Sequence, residues 1–485
     1  MSQSIELAHR RRSRISTAVG RRGAAALAAV ALAAPAAAAE LPSGAARVQA
    51  EALAGDGAWR LVASLTGEVG PRFAGSAGDA AAILWAEAGL RELGFPVVRR
   101  EPVRVPRWLR GEATGEIVAP WPQPVKLLAL GGSVGTPAEG IEAEVVAVED
   151  LAALEQLDDR AVRGRIVFFH RRMRRAVDGA GYGETVAIRT RGAATAAKKG
   201  AVAVVIRSVG TDSNRLPHTG TTRYEEDGPR IPAAALSAPD ADLLERQLAS
   251  GRAVRLRLAL GCRHEGEADS ANVIGEFPGS AAPEEIVLLV AHRDSWDVGT
   301  GAQDNGTGVA VVVEAARLVA SASGGAARRT LRVVLTANEE FGLSGARAYA
   351  AAYGAQIPAH VLALEADSGG GRVLALRTRF APADAAATDE LLGRLAPLGV
   401  SLVDGEATGG ADLTPLRPLG VPLADLEQDR SAYFDVHHTD NDTLDKIDPE
   451  ALRQVTAAFA TAAEWAANRE ARLLSAPVPP AAERP

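Results

Sequence analysis

At 485 residues, with 47% hydrophobic and 23% charged residues, the chain is too long for one ordinary domain and too apolar for a disordered one. Its net charge of −7 excludes the overall basic character of a nucleic-acid binder. One cysteine, Cys262, excludes an internal disulfide.

In chain order, the first readable element is an export signal. Six arginines (Arg10, Arg11, Arg12, Arg14, Arg21 and Arg22) precede the uncharged run Gly23 to Ala39, which ends in small residues before Glu40. A basic segment, an apolar segment and an A-x-A site describe a secretory signal cleaved after Ala39. The run has 17 residues, including Pro35, short of the ~20 that span a bilayer. No later stretch approaches that length, so export to the periplasm or the exterior is expected, with no membrane segment. Cleavage removes six Arg and one Glu and moves the net charge from −7 to −12.

Ser43 to Gly94 reads as two amphipathic helical runs parted by TGEVGPRFAGSAG, whose Gly and Pro break them. Between 113 and 266 come short strand-like runs at 125–130, 165–169, 201–206, 233–236 and 253–260, with helices at about 186–199 and 239–249. This is a compact β-rich module, closed by the polar segment CRHEGEADSAN. After Asn272, strand candidates at 285–291, 331–337, 361–366 and 421–426 alternate with helices near 306–322, 344–353, 384–397 and 449–474. Such alternation predicts an α/β domain, doubly wound around a largely parallel sheet. The expected organisation is a signal over 1–39 and an N-terminal part of the catalytic domain over 40–112, with room for a short propeptide at its start. The inserted module over 113–266, the main α/β domain over 267–474 and a flexible tail over 475–485 follow.

Candidate ligands fall just beyond the main strands: His292, Asp294 and Asp304 after the first, Glu339 and Glu340 after the second, Asp367 after the third, His437 and His438 after the fourth. In an open α/β sheet, ligands bind at the carboxyl ends of the strands. Singly, each residue has an ordinary structural reading: a hydrogen-bonded histidine, an Asp that caps a helix, a solvated Glu pair. Together, two histidines and several carboxylates need cations, because buried like charges repel. Mixed nitrogen and oxygen donors without cysteine suit zinc, and five ligands fit two ions that share one carboxylate. A serine-hydrolase reading of GGSVG, Gly131 to Gly135, fails on context, because TPAEG follows where a helix must start.

The runs HRDSWDVGTGAQDNGTGVAV, NEEFGLSGARAYA, EADSGG and HHTDNDT resemble the successive motifs of the co-catalytic two-zinc exopeptidases, the family of the bacterial leucyl aminopeptidases. EVGPRFAGS, EPVRVPRWLRGE, GGSVGTPAEGI and PHTG extend the likeness toward its carboxypeptidase Q branch, over nearly the whole chain from Val69. The resemblance implies that His292 and Asp367 bind one zinc, Glu340 and His438 the other, and that Asp304 bridges both. It also implies Glu339 as general base, and a protease-associated domain in the inserted module. Asp294 would orient His292, and His437, where many relatives have tyrosine, would donate to the oxyanion. Hydrolysis of dipeptides or short peptides by a homodimer carrying two zinc ions per chain is the expectation. An aminopeptidase and a non-catalytic, receptor-like relative are the alternatives.

Overall fold

A computed structural model of the chain describes residues 43–474, so the signal segment and the tail lie outside the described residues. Two eight-stranded sheets organise it. In the main sheet the order is Val97–Leu109, Arg263–Phe277, Arg329–Thr336, Ala282–His292, His360–Glu365, Leu423–Gln428, Val373–Arg379 and Ser401–Glu406. The four apolar runs expected as strands form its centre and pair in parallel. Parallel neighbours need crossover connections, which the intervening helices supply. Arg329–Thr336 is buried at every position, as a strand covered on both faces must be.

Alternate residues of these strands feed two cores. Val287, Leu289 and Ala291 pack with helices Thr307–Ala322 and Pro449–Asn468; Ile286, Leu288 and Val290 pack with Tyr349 of helix Ser344–Tyr353. The helix Ser43–Ala54 buries Ala45 and Val48 and hydrogen-bonds through Gln49 to Thr461 at 3.1 Å.

The antiparallel flank was not visible as such in the sequence. Val97–Leu109 pairs with Arg263–Phe277 along almost their whole lengths. The polar segment expected to close the inserted module is therefore a main-sheet strand. Its first half is exposed and lacks the apolar alternation that marks a half-buried strand. The inserted sheet itself runs from Ala113 to Leu260, so the expected boundary at 266 falls inside that strand and moves back.

In the inserted sheet, Ile166–Phe169, Ala203–Arg207 and Ala233–Leu236 are parallel and wholly buried. Helices Ala187–Lys198 and Ala238–Leu248 cover its opposite faces. Both of its cores recruit residues of the main domain: Phe73 and Trp296 on one side, Phe434 on the other. Phe73 stacks on Trp296 with ring centroids 5.0 Å apart. Ser133 of GGSVG is fully buried and structural; its hydroxyl accepts from Ala233 N and donates to Val134 O, both at 2.8 Å.

Candidate metal centre

The carboxyl ends of the four parallel strands deliver their polar residues to one spot. His292 is the last residue of its strand, and its Nε2 lies 3.2 Å from Asp304 Oδ1 and 3.3 Å from Asp367 Oδ1. The other oxygen of Asp304, Oδ2, lies 3.1 Å from His438 Nε2, which is in turn 3.1 Å from Glu340 Oε2. Asp304 thus turns one oxygen to each of two ligand groups. His437 is also present, with Nε2 3.6 Å from Asp304 Oδ2 and its ring stacked on His438 at 3.5 Å.

Glu339 and Glu340 lie beyond the strand, which ends at Thr336, and Asn338 turns the chain at φ +62. Strand alternation no longer governs them, so Glu340 reaches His438 while Glu339 does not. His438 itself sits at φ +63, a conformation a bulky residue adopts only when its surroundings impose it.

The tautomers suit coordination. His438 Nδ1 faces Thr219 O at 3.2 Å and His292 Nδ1 faces Asp294 O at 3.1 Å, so each Nδ1 donates and each Nε2 is left for a cation. The Asp294 carboxylate is farther from the ring, at 3.7 Å. It accepts from Glu339 N at 3.1 Å and Glu340 N at 3.4 Å, and so fixes the loop carrying both glutamates. His437 Nδ1 has no partner, unlike the two tethered rings.

Charge in this buried cluster is balanced by protons. Burial, then the charge of Asp304, pushes Glu340 up to about 7. Burial, with Asp367 and Glu340 adding to it, holds Glu339 well above the carboxylate range. Against the cost of burial, Glu340 and Asp304 push His438 up to about 9. Burial and then the charge of His438 keep His437 well below the usual imidazole value, hence neutral. Glu340 Oε1 has no hydrogen-bond partner. Divalent cations would displace those protons and satisfy that oxygen, so the donor set fits zinc.

Several supports escaped the sequence reading. Asp442 accepts from Gln303 N at 2.6 Å and Asp304 N at 3.0 Å, holding the backbone of the shared aspartate. Buried Arg72 donates to the carbonyls of Arg293 at 2.5 Å, Thr300 at 2.6 Å and Gly301 at 2.7 Å. Both lie in the quoted motifs HHTDNDT and EVGPRFAGS, but nothing in sequence spacing marks a residue that works through backbone amides or carbonyls. Tyr433 packs its ring 5.1 Å from His437, and burial followed by the charges of Asp304 and Asp367 raises its phenol well above the ordinary value.

The inserted domain roofs the cluster. Thr219 N donates to His438 O at 3.0 Å, His218 Nδ1 to His437 O at 2.7 Å, and Thr221 Oγ1 to Glu340 O at 2.5 Å. A small cleft lined by Trp296, Asp304, Glu340 and His438 opens beside it.

Residues 272–463 match Peptidase family M28 and residues 113–244 match the PA domain. Carboxypeptidase Q of Mus musculus is 37% identical over 415 residues, covering 84% of this chain and 85% of that protein. The crystal structure of a peptidase M28 precursor from Shewanella amazonensis superimposes with a TM-score of 0.87 at 46% identity, over 90% of this chain and 98% of that one. A zinc aminopeptidase from Bacillus subtilis shares the fold, with a TM-score of 0.62 at 21% identity, over 89% of this chain and 97% of its own.

Proposed function

The chain belongs to peptidase family M28 and is a zinc-dependent exopeptidase acting on peptides, and from that premise we propose that it is a dipeptidase of the carboxypeptidase Q kind with two zinc ions per chain. The observation that carries the reading is the placement of Asp304, with Oδ1 toward His292 and Asp367 and Oδ2 toward His438 and Glu340. One ion would be held by His292 and Asp367, the other by Glu340 and His438, with Asp304 common to both. A grouping of Asp304, His437 and His438 is also close enough to ligate. We favour Glu340 over His437, because the ring of His437 lacks the second hydrogen bond that tethers His292 and His438.

When bound, zinc supplies Lewis-acid polarisation of the scissile carbonyl and acidification of water. Glu339, half-buried beside the ligands, takes the proton of the attacking water at its carboxylate and returns it to the leaving amine nitrogen. Asp294 holds the Glu339 backbone, and hence the base, in place. His437, neutral, donates an N–H to the oxygen on which negative charge develops.

Export after cleavage at Ala39 and homodimerisation belong to the same proposal. The first rests on the N-terminal run Gly23 to Ala39, the second on the family resemblance. Among the described residues, no helix is long and apolar enough to cross a membrane.

The test is a panel of free, N-blocked and C-amidated dipeptides and aminoacyl anilides with zinc-loaded enzyme. Free dipeptides are expected to be the best substrates. Preference for aminoacyl anilides and amides would make the enzyme an aminopeptidase instead.

A further inference from the structure

The roof loop between the inserted strands Ala203–Arg207 and Ala233–Leu236 carries a buried histidine and a buried aspartate. The side chains of His218 and Asp212 are 1% and 6% exposed, and His218 Nε2 lies 2.8 Å from Asp212 Oδ1. On the other side of the ring, Nδ1 lies 2.7 Å from His437 O. Each ring nitrogen faces an acceptor, so each donates. The rest of the pair is fixed from within the inserted domain. Ser208 Oγ accepts from His218 N at 2.9 Å, and Asp212 Oδ2 accepts from Asn214 N at 2.7 Å. Gly210 comes so close that a Cβ there would lie 2.3 Å from the imidazole. Among the described residues, the side-chain hydrogen bonds of the pair leave the inserted domain at one point, His437 O.

A buried charge-assisted pair is a poor fold staple, because apolar side chains of similar volume often stabilise as well or better. Its outside contact gives it another task. His292 and His438 each have Nδ1 tethered to a carbonyl, whereas His437 Nδ1 has no partner. The direction of the His437 ring is therefore set by its main chain and by packing against His438, Tyr433 and Tyr182, at 3.5, 5.1 and 5.3 Å between centroids. That main chain is held at both ends: His437 N donates to Tyr433 O at 3.0 Å, and His437 O accepts from His218. The peptide so gripped leads into His438 at φ +63, a conformation that needs outside support. Without His218 the carbonyl would be buried and unpaired, and the peptide would turn to find a donor.

We propose that the Asp212–His218 pair of the inserted domain positions His437 for catalysis, Asp212 orienting the imidazole and the imidazole fixing the peptide that aims the His437 ring. His218 and Asp212 are positioning residues, and neither touches the substrate or the ions. This rests on the oxyanion-donor role given to His437 above and adds what aims that donor.

The experiment measures kcat and KM on a free dipeptide, zinc content and Tm for the zinc-loaded wild type, His218→Leu, His218→Asn, Asp212→Ala, His437→Ala and the double variant His218→Leu/His437→Ala. His218→Leu should keep the zinc content of wild type and lose about 10- to 100-fold in kcat, with little change in KM, the scale of a displaced catalytic group. His218→Asn, whose amide N–H can reach the same carbonyl, should recover part of that loss. In the His437→Ala background His218→Leu should cost little more, because the group it positions is already gone. An undiminished kcat in His218→Leu, a full further loss in the double variant, or a loss of zinc in step with activity would each overturn the inference. Should His218→Leu fail to fold, Asp212→Ala should still lower kcat about tenfold, and an unchanged kcat there would overturn it. A loss in His437→Ala without one in His218→Leu would sink this inference alone. Normal turnover by His437→Ala would sink the donor role of His437 and this inference with it.

Discussion

The two sheets have the same number of strands and the same kind of buried, parallel centre, yet one carries the proposed metal ligands and the other roofs them. The residues just past the inserted strands are His170, Ser208 and Ser237, polar groups at the same sort of edge. Two of them serve the fold: Ser208 donates to Leu236 O at 2.6 Å, and Ser237 caps the helix Ala238–Leu248. In the main sheet the corresponding groups converge, and Glu340 keeps an oxygen, Oε1, that nothing in the protein satisfies. A strand end becomes a metal site when several acceptors converge there unpaired, not because it is a strand end.

If that distinction is right, substitutions at the main-sheet edge should abolish the chemistry, and substitutions in the roof should only tune it. The largest effect is expected for His438→Ala, which should lose one zinc per chain and fall to background activity, read by metal analysis and turnover. Glu339→Gln should keep both ions and lose about 10²–10⁴-fold in kcat, the usual contribution of a general base. Near-normal turnover in that variant would remove Glu339 from the role. His437→Ala should keep both ions and lose about 10²–10³-fold, in kcat more than KM, as for one oxyanion donor. If Tyr433→Phe shows that loss and His437→Ala does not, the donor is the tyrosine. From the roof, Thr221→Val removes the hydroxyl that holds Glu340 O and should weaken zinc binding about tenfold, the lower end for groups that orient ligands.

A smaller, pH-dependent effect follows from the protons the cluster holds. Zinc needs neutral imidazole, whereas His438 is pushed up to about 9 and is protonated at neutral pH. Binding near pH 7 should therefore release that proton, and affinity should rise with pH until about 9, where the release ends. Calorimetry in buffers of different ionisation enthalpy measures this. A proton count of zero near pH 7 would contradict it.

Much of this was legible in the sequence. The four central strands and the helices between them announced themselves as apolar runs and breaks, because burial on both faces leaves no polar positions. The residues that converge at the candidate metal centre could be named because they follow those runs directly. The long antiparallel flank was not legible, since its exposed half carries the charges of a loop. Nor were Arg72 and Asp442, which act through hydrogen bonds to residues distant in the chain that no local pattern encodes.

The account stands on Asp304 serving two ions at once. Zinc stoichiometry, measured by mass spectrometry of elemental content on dialysed wild type and Asp304→Ala, tests this most directly. Two zinc ions per chain in wild type, and fewer than one in the variant, are predicted. One ion in wild type, or two retained without the aspartate, would contradict it.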